Sequence, residues 1–360
     1  LLAPREPADS GESLEGESRR NPVAGYFSLL DRIKTLEAEL LAIPAGSRAG
    51  DRAAIGKKIA EIQRQEPALA EATEKIIGHQ IKDILTARGI YHPFQKYIAP
   101  ETGFPPLNFK LDKPPHLLVV SPRHRIESIR EVILRPDIRL EDMDHIEARV
   151  DETGTSSLVI ELGGFGGTYP TFVTNRADLS FTVDTATEEW LHQYLAFKPL
   201  GFLYLLDVTG LARNYDIAVM NETLAGIVSK EIGSAVYETY YAVDEQDEAS
   251  VDTAAPEFDF NREMREIRRA VDNYLAQGEI EAAEEFMEQK RQFLAAKGYY
   301  IRKLNQAYFA FHGTYADEPT SISPIGIEMK ALREQSASLE EFLETVAVMT
   351  SRQDLSLSLQ

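Results

Sequence analysis

Apolar residues recur at steps of three and four over two long stretches near the start of the chain, and this spacing constrains the fold more than any other feature. Because side chains at these steps share one face of an α-helix, each stretch predicts an amphipathic helix. The first ends at Pro44 and Gly46; the second contains Pro67, where we expect a break or kink, and ends near Gly89 and Pro93. The two stripes consist of Tyr26, Phe27, Leu30, Ile33, Leu36, Leu40 and Ile43, and of Ile55, Ile59, Ile62, Leu69, Ile76, Ile77, Ile81, Ile84 and Leu85.

Residues 23–98 are therefore expected to form a helical hairpin. Amphipathic helices ordinarily bury their stripe within their own protein. The alternative is that the hairpin at 26–91 binds a protein partner. Residues 1–22 are rich in Pro, Gly, Ser, Glu and Arg and almost free of large apolar side chains after Leu2, which predicts a flexible tail or linker.

Short runs of β-favouring residues follow a proline-rich connection at 99–115. HLLVV (116–120) and SSLVIEL (156–162) are bounded by turn formers and predict strands. The stretch ELGGFGGTYPTFVTN (161–175) continues the second strand through a glycine-rich bend into another extended piece. We expect a small sheet at about 116–183 with a glycine-rich edge strand.

From residue 184 to residue 350 the apolar pattern has mostly the helical period. The sequence thus predicts an α+β fold, mostly helical, in which the sheet packs on a helical body at 184–350. Sheet and body are expected to form one domain, residues 99–350, behind the hairpin. Residues 351–360 are expected to be a second tail.

Composition excludes several classes of function. The formal net charge of −20 argues against a nucleic-acid partner, because such proteins present Lys and Arg to the phosphates. The absence of cysteine removes thiolate ligands and thiol nucleophiles, so a transition-metal site must use His, Asp and Glu. An apolar run of about 18 residues or more, the length that spans a bilayer, does not occur in the sequence.

The chain begins at Leu1, without a methionine, in LLAPREPADS. This start is compatible with the trimmed edge of a signal or membrane anchor, and equally with a cloning boundary. Localisation therefore stays open, and membrane anchoring through a preceding segment is one expectation.

One helical segment, TEEWLHQYL (187–195), carries charged residues in a pattern that can bind a metal ion. Glu188 and His192 are four residues apart and share a face, while Glu189 lies about 100° round the axis, beside the same cavity. This is the geometry of an H-E-x-x-H zinc helix, in which two ligands flank a general base, although the string here is E-E-W-L-H. The alternative is a solvated helix face, because Glu pairs are common on exposed helices.

A second segment, NETLAGIVSKEIG (221–233), favours the metal hypothesis. Its apolar residues predict a largely buried helix, so Glu222 is expected to be a carboxylate in an apolar wall. A buried carboxylate needs a partner, and a cation is one solution.

A tyrosine-rich YETYY and the block KLNQAYFAFHGTYA follow. Taken in order, these blocks resemble a group of bacterial membrane-associated proteins of the gluzincin metallopeptidase type, over roughly residues 116–350. In that family an H-E-W-x-H-x-Y-L helix supplies two histidines and the catalytic glutamate, and an N-E-T helix supplies the third ligand. The resemblance implies a metal-dependent peptidase in which His192 and Glu222 are ligands and Glu189 is the general base. Glu188 stands in the position of the first histidine.

Glu188 is the departure from the family pattern. A carboxylate in place of a neutral imidazole adds a negative charge and makes the bound ion a poorer Lewis acid. The Glu/His/Glu set is expected to hold a divalent metal, Zn²⁺ in the first place, and to tolerate Mn²⁺ or Fe²⁺. The alternative is an inactive pseudoenzyme that holds no metal and acts as a binding or scaffold protein.

Other side chains are expected to support the chemistry. The resemblance implies a donor for the oxyanion opposite the metal, for which His312 is the candidate, with Tyr308 or Tyr315 nearby; a packed histidine near a helix end is the alternative. Asn221 and Thr223 either hydrogen-bond to a metal ligand or cap the start of the helix.

The resemblance also implies that the glycine-rich stretch is an edge strand above the metal, where a peptide or protein substrate can pair as an added strand. A structural bulge or tight hairpin is the rival interpretation. The substrate-binding positions would be Gly163, Gly164, Gly166 and Gly167.

Overall fold

The computed structural model describes residues 21–42, 49–95, 103–241, 258–314 and 323–360. Helices dominate these ranges and two small sheets accompany them, so the predicted α+β, mostly helical fold is confirmed. The helices are α1 (Pro22–Ala42), α2 (Ala49–Gln63), α3 (Glu66–Ala87), α4 (Leu140–Asp151), α5 (Leu179–Leu195), α6 (Pro199–Val208), α7 (Tyr215–Tyr240), α8 (Phe260–Ala276), α9 (Ile280–Ala296), α10 (Gln306–His312), α11 (Ile325–Gln335), α12 (Leu339–Ala347) and α13 (Arg352–Ser358). Among these helices, none is both long and apolar enough to cross a membrane.

Six strands form two three-stranded sheets in the described ranges. They are β1 (Phe109–Asp112), β2 (His116–Pro122), β3 (Arg130–Leu134), β4 (Thr155–Glu161), β5 (Gly164–Phe165) and β6 (Thr171–Thr174). The first sheet has the order β1-β6-β5, with β1 parallel and β5 antiparallel to β6. The second, β3-β2-β4, is entirely antiparallel. The glycine-rich strand β5 therefore lies at a sheet edge, as expected, but the single predicted sheet is two sheets, because β4 ends before the glycines and β6 pairs instead with β1 from the proline-rich connection.

The second sheet is covered on both faces by helices. Leu118, Val120 and Val159 pack against α4, and Val119 and Leu158 on the opposite face pack against α10. Successive side chains along β2 and β4 point to opposite faces of the sheet, so each face contributes to its own apolar cluster. Next to α10, the helices α8 and α9 enclose a separate small core that includes Phe309.

The N-terminal hairpin expected at 23–98 is three helices, α1 to α3. Helix α3 begins at Glu66 with Pro67 in its first turn, where proline is tolerated because the first amide groups of a helix have no partner within it. The stripes of α1 and α3, including Tyr26, Ile77 and Ile81, lie in the main core. The tail expected at 1–22 falls, up to residue 20, outside the described residues.

The prediction of a tail at 351–360 is wrong. The segment contains α13, which begins with a capping box in which Ser351 and Asp354 each accept a hydrogen bond from a backbone amide of the other. Leu355 is fully buried in the main core. A single apolar anchor and a local cap order this short segment, and neither produces a periodic pattern long enough to predict a helix.

The main core is built around two adjacent helices, α5 and α7. Residues 217–229 of α7 are all buried except Gly226. A helix that is buried over so many turns has almost no surface on which a charged side chain could reach water. Any ionised group on this part of α7 must therefore find its partner inside the protein.

A tight corner joins α5 to α6. The α-carbon of Gly201 approaches the carbonyl oxygen of Leu195 so closely that a Cβ there would lie 2.1 Å from that oxygen, so only glycine fits. Lys198, at the corner, is 9% exposed and donates to Glu344 of α12 at 2.9 and 3.0 Å. The Tyr194 hydroxyl donates to the same carboxylate at 2.9 Å. This buried ion pair fixes the direction in which α6 leaves α5.

We expect Glu344→Gln to destabilise the protein by about 3 kcal/mol or more, because removing one partner of a buried ion pair leaves the Lys198 charge uncompensated. The measurement is urea unfolding followed by circular dichroism. Glu71→Gln, which removes an exposed pairing with Lys75 on α3, is the control and is expected to leave the midpoint unchanged. A Glu344→Gln midpoint equal to that of the control would contradict the structural role of the pair.

Candidate metal centre

Glu188 and His192 project from α5 toward α7, where Glu222 meets them. Asp178 begins α5 by accepting a hydrogen bond from the amide of Phe181 at 2.8 Å, which sets the phase of the helix. One ligand atom from each of Glu188, His192 and Glu222 lies within 4.8 Å of the others. Two carboxylates and one imidazole in this arrangement could hold a metal ion.

Glu222 is the deepest member of the group, only 6% exposed. Its Oε1 atom accepts a hydrogen bond from the hydroxyl of Tyr204 on α6. Its Oε2 atom is buried without a hydrogen-bond partner among the described residues and lies 3.6 Å from Nε2 of His192. A buried carboxylate oxygen that lacks a donor is costly, and a cation placed between Glu222 and His192 would satisfy it. The residues therefore fit a metal ion.

His192 is oriented by Asn221, the residue before Glu222. Nδ1 of His192 lies 2.9 Å from Oδ1 of Asn221, so the neutral ring that donates from Nδ1 offers the Nε2 lone pair to the centre of the group. Burial by itself lowers the pKa of His192, but the charges of Glu222, Glu189 and Glu188 outweigh burial and raise the pKa above its ordinary value.

The capping alternative for Asn221 and Thr223 is wrong. Helix α7 begins six residues earlier in the chain, at Tyr215, and its cap is Asn214, whose side chain accepts from the amide of Ile217 at 3.3 Å. Asn221 and Thr223 are both in the buried interior of the helix. The apolar run after residue 222 is only the second part of a longer helix, because IAVM (217–220) before it is buried as well.

Glu188 and Glu189 both titrate far above their ordinary range. Burial raises the pKa of Glu188 from 4.5 to about 7, with Glu222 adding to the shift and His192 opposing it. Burial raises the pKa of Glu189 from 4.5 to about 8, again opposed by His192 and increased by the other two carboxylates. A carboxyl group that is readily protonated near neutral pH is suited to accept and return a proton.

The glycine-rich strand lies directly over Glu189. A Cβ on Gly164 would lie 2.4 Å from Oε1 of Glu189, and one on Gly166 would lie 2.6 Å from Oε2, so both positions must be glycine for the carboxylate to stay where it is. Gln193, one turn along α5, donates to the carbonyl oxygens of Gly166 and Thr168 at 3.2 and 2.9 Å. Strand β5 is thus held against the helix that carries the ligands.

Gly163 and Gly167 have different neighbours. A Cβ on Gly163 would collide with the ring of Phe181, and one on Gly167 with the ring of Phe165. At all four glycines the space of a side chain is taken by the protein itself. The strand's pairing with a substrate stays a prediction.

His312 and Tyr308 pack against each other at the end of α10. Their ring centroids are 4.3 Å apart, and Phe311 packs edge-on against His312. Burial lowers the pKa of His312 from 6.5 to about 4, so the ring is neutral at physiological pH. Tyr215, at the start of α7, donates to the carbonyl oxygen of Gly313 at 3.1 Å and so ties α10 to the helix that carries Glu222. Tyr315 lies outside the described residues.

Tyr204 belongs to the site, yet sequence reasoning missed it. Its ring stacks on His192 with centroids 5.6 Å apart and 20° between the ring planes. Its hydroxyl bonds to Glu222, as described above. In the sequence Tyr204 is one residue of an apolar run, PLGFLYLLDV; its polar hydroxyl within that run was the available signal, since a phenol in an apolar segment ordinarily has a hydrogen-bond partner.

Comparisons of the chain with protein-family models, with curated proteins and with solved structures found no match.

We expect the protein to lose stability as the pH falls from about 6.5 to 4, partly through His312. The folded state depresses the pKa of this histidine to about 4, so below 6.5 the unfolded chain binds a proton that the folded protein excludes. Since one pKa unit corresponds to about 1.4 kcal/mol, the full contribution of His312 is roughly 3 kcal/mol. His312→Gln should flatten this part of the profile, measured as the free energy of unfolding in urea at several pH values with a chelator present. Parallel profiles for variant and wild type would show that His312 is not the buried neutral ring described here.

Proposed function

We propose that the protein is a metal-dependent peptidase with an unusual Glu/His/Glu site. The observation that carries the proposal is the convergence of Glu188, His192 and Glu222 around a buried carboxylate oxygen that lacks a donor. Glu189 lies beside this group, beneath an edge strand. A metal site, a proton acceptor and a strand edge are the three parts that hydrolysis of an extended peptide requires.

Glu188, His192 and Glu222 would hold the cation. When bound, a divalent ion supplies Lewis-acid polarisation of the scissile carbonyl and lowers the pKa of water. Two oxygen ligands and one nitrogen ligand are compatible with Zn²⁺, and they also suit Mn²⁺ and Fe²⁺, which accept carboxylate ligands readily.

Glu189 would serve as general base and then as general acid. Its carboxylate takes a proton from the attacking water while the water oxygen bonds to the carbonyl carbon. It then returns that proton to the nitrogen as the C–N bond breaks. The raised pKa of Glu189 indicates a poorly solvated carboxylate, and the charge of a cation nearby would favour its ionised form. His312, neutral at physiological pH, and Tyr308 are proposed as donors to the carbonyl oxygen.

The substrate would be an extended peptide segment. Strand β5 pairs only with β6 in its sheet, so its other edge is where a substrate backbone would add as a further strand. Gly164 and Gly166 let the protein's own backbone lie against Glu189, so a strand added beside β5 would lie near this carboxylate. Cleavage within unstructured segments is the expected activity.

One observation favours a second candidate, an inactive protein that binds a partner through the same fold. Nε2 of His192 and Oε2 of Glu222 face each other at 3.6 Å, close enough for a protonated imidazole to compensate the buried carboxylate. A protein that uses this pairing permanently would need no ion. Metal content separates the two candidates.

We expect purified protein, loaded with Zn²⁺ or Mn²⁺ and then desalted, to retain about one equivalent of metal in elemental analysis. His192→Gln and Glu222→Gln should each abolish retention, because two protein ligands hold such an ion poorly. Glu231→Gln is the matched control: Glu231 is also on α7 but pairs with Arg333 at 2.7 Å, away from the site, and its loss should leave the metal content unchanged. Wild-type protein that retains neither ion would favour the inactive candidate.

We expect Glu189→Gln to lower the rate of peptide hydrolysis by about 10² to 10⁴, the usual contribution of a general base, while metal content stays at the wild-type level. The assay is cleavage of unstructured peptides followed by mass spectrometry. The amide of Gln has the size of the carboxylate and leaves the contacts with Gly164 and Gly166 possible. Hydrolysis at the wild-type rate in this variant would sink the assignment of Glu189.

A further inference from the structure

We propose that Tyr204 is a positioning residue that holds two of the three metal ligands, Glu222 by a hydrogen bond and His192 by stacking. The inference rests on the proposed metal site, but not on hydrolysis. Sequence reasoning assigned this residue no role. It contacts Glu222 by a hydrogen bond and His192 by ring stacking. None of the other described side chains around the site makes both of these contacts.

The hydrogen bond determines which oxygen of Glu222 can bind a cation. A carboxylate can bind a metal through one oxygen or through both, and it can rotate away from the site. Here Oε1 accepts the hydrogen bond of the Tyr204 hydroxyl, while Oε2 lies 3.6 Å from Nε2 of His192. Tyr204 thereby makes Glu222 a ligand with one available oxygen, pointed at the centre of the group.

The stacking limits rotation of the His192 ring. The phenol ring lies nearly parallel to the imidazole, at 20° and 5.6 Å, and Asn221 holds the Nδ1 edge. With one face and one edge in contact, the ring keeps Nε2 directed toward Glu222. Groups that orient a metal-binding histidine commonly change metal affinity by 10- to 100-fold when removed.

Glu188 differs from the other two ligands. No hydrogen bond joins its carboxylate to another of the described residues, although the charges of His192 and Lys230 lie near enough to lower its pKa. The site therefore consists of two ligands with fixed directions and one that can adjust. The metal affinity of the site should depend mainly on the residues that hold Glu222 and His192 in place. Tyr204 contacts both of these ligands.

The position of Tyr204 is in turn set by the corner between α5 and α6. Its ring can reach both ligands only if α6 leaves α5 at the angle that Gly201 permits and that the Lys198–Glu344 pair holds. Tyr204 and Gly201 are three residues apart and so lie on neighbouring positions of one helix face. The phenol is therefore presented from a rigid element, as a positioning residue requires.

The test is a comparison of metal affinity in Tyr204→Phe and Tyr204→Leu with wild type, by isothermal titration with Mn²⁺ and with Zn²⁺. Tyr204→Phe keeps the ring and removes the hydroxyl, and we expect it to bind about 10-fold more weakly with one ion per chain. Tyr204→Leu removes both contacts and should bind about 100-fold more weakly. The control is Tyr241→Phe, which deletes a partly buried hydroxyl bonded to Gln80 of α3 instead of to a ligand and should bind as wild type does.

A second measurement distinguishes positioning from a general loss of stability. Bound Co²⁺ absorbs visible light with an intensity that falls as the coordination number rises, so Tyr204→Phe, which frees Oε1 of Glu222 to bind as well, should lower this absorption at saturating Co²⁺. A purely structural role would leave the spectrum of the saturated protein unchanged. Circular dichroism of the metal-free variants establishes that they are folded at the temperature of titration.

The outcomes separate this inference from the proposed function. Wild-type protein that binds Mn²⁺ or Zn²⁺ tightly, together with Tyr204→Phe of equal affinity and equal Co²⁺ spectrum, overturns the role of Tyr204 alone. An equal loss of affinity in Tyr241→Phe also overturns it, because removal of an unrelated tyrosine hydroxyl would then have the same effect. Wild-type protein that binds none of these ions overturns the metal site and this inference with it.

Discussion

The carboxylate of Glu222 is the group to which the rest of the site is adjusted. It is carried on a stretch of α7 that is buried on nearly every side, where an ionised group without partners would be strongly destabilising. Its two oxygens have different contacts. The Tyr204 hydroxyl donates to Oε1, and the His192 ring faces Oε2. A leucine at this position would continue the apolar face of the helix without burying a charge. The buried acid at this position, with an oxygen that has no hydrogen-bond donor among the described residues, is the physical reason for inferring a cation.

The packing beyond the site serves to keep that arrangement in place. The pair of Lys198 and Glu344 joins the corner after α5 to α12, and the same carboxylate accepts from Tyr194 on the rear face of α5. On the front face, Gln193 holds the glycine strand over Glu189. Contacts on both sides of the face that carries Glu188 and His192 thus hold helix α5 in place. Buried ion pairs contribute little net stability when compared with apolar packing. Here the pair of Lys198 and Glu344 sets the direction of α6, and that direction brings Tyr204 into contact with His192 and Glu222.

Much of the site could be predicted from sequence because it depends on local geometry. The spacing of Glu188 and His192 places them on one helix face in any α-helix, and the apolar residues around Glu222 indicate its burial. Tyr204 could not be found in this way, since its contact with Glu222 depends on the angle between two helices. The same distinction holds for the fold. The helices α1 and α3 could be predicted because the spacing of their apolar residues is a local pattern. However, the parallel pairing of β1 with β6 joins residues about 60 positions apart, and α13 depends on one buried leucine.

A Glu/His/Glu set differs from a set of two histidines and one glutamate more in charge than in shape. Two ionised carboxylates and a neutral imidazole around a divalent cation form a set with no formal net charge, whereas two imidazoles and one carboxylate leave a positive charge. In a region where burial already raises the pKa of Glu188 to about 7 and of Glu189 to about 8, a neutral set costs less desolvation than a charged one. The same neutrality weakens the pull of the ion on a carbonyl oxygen. A Glu/His/Glu set would therefore exchange Lewis acidity for retention of the ion.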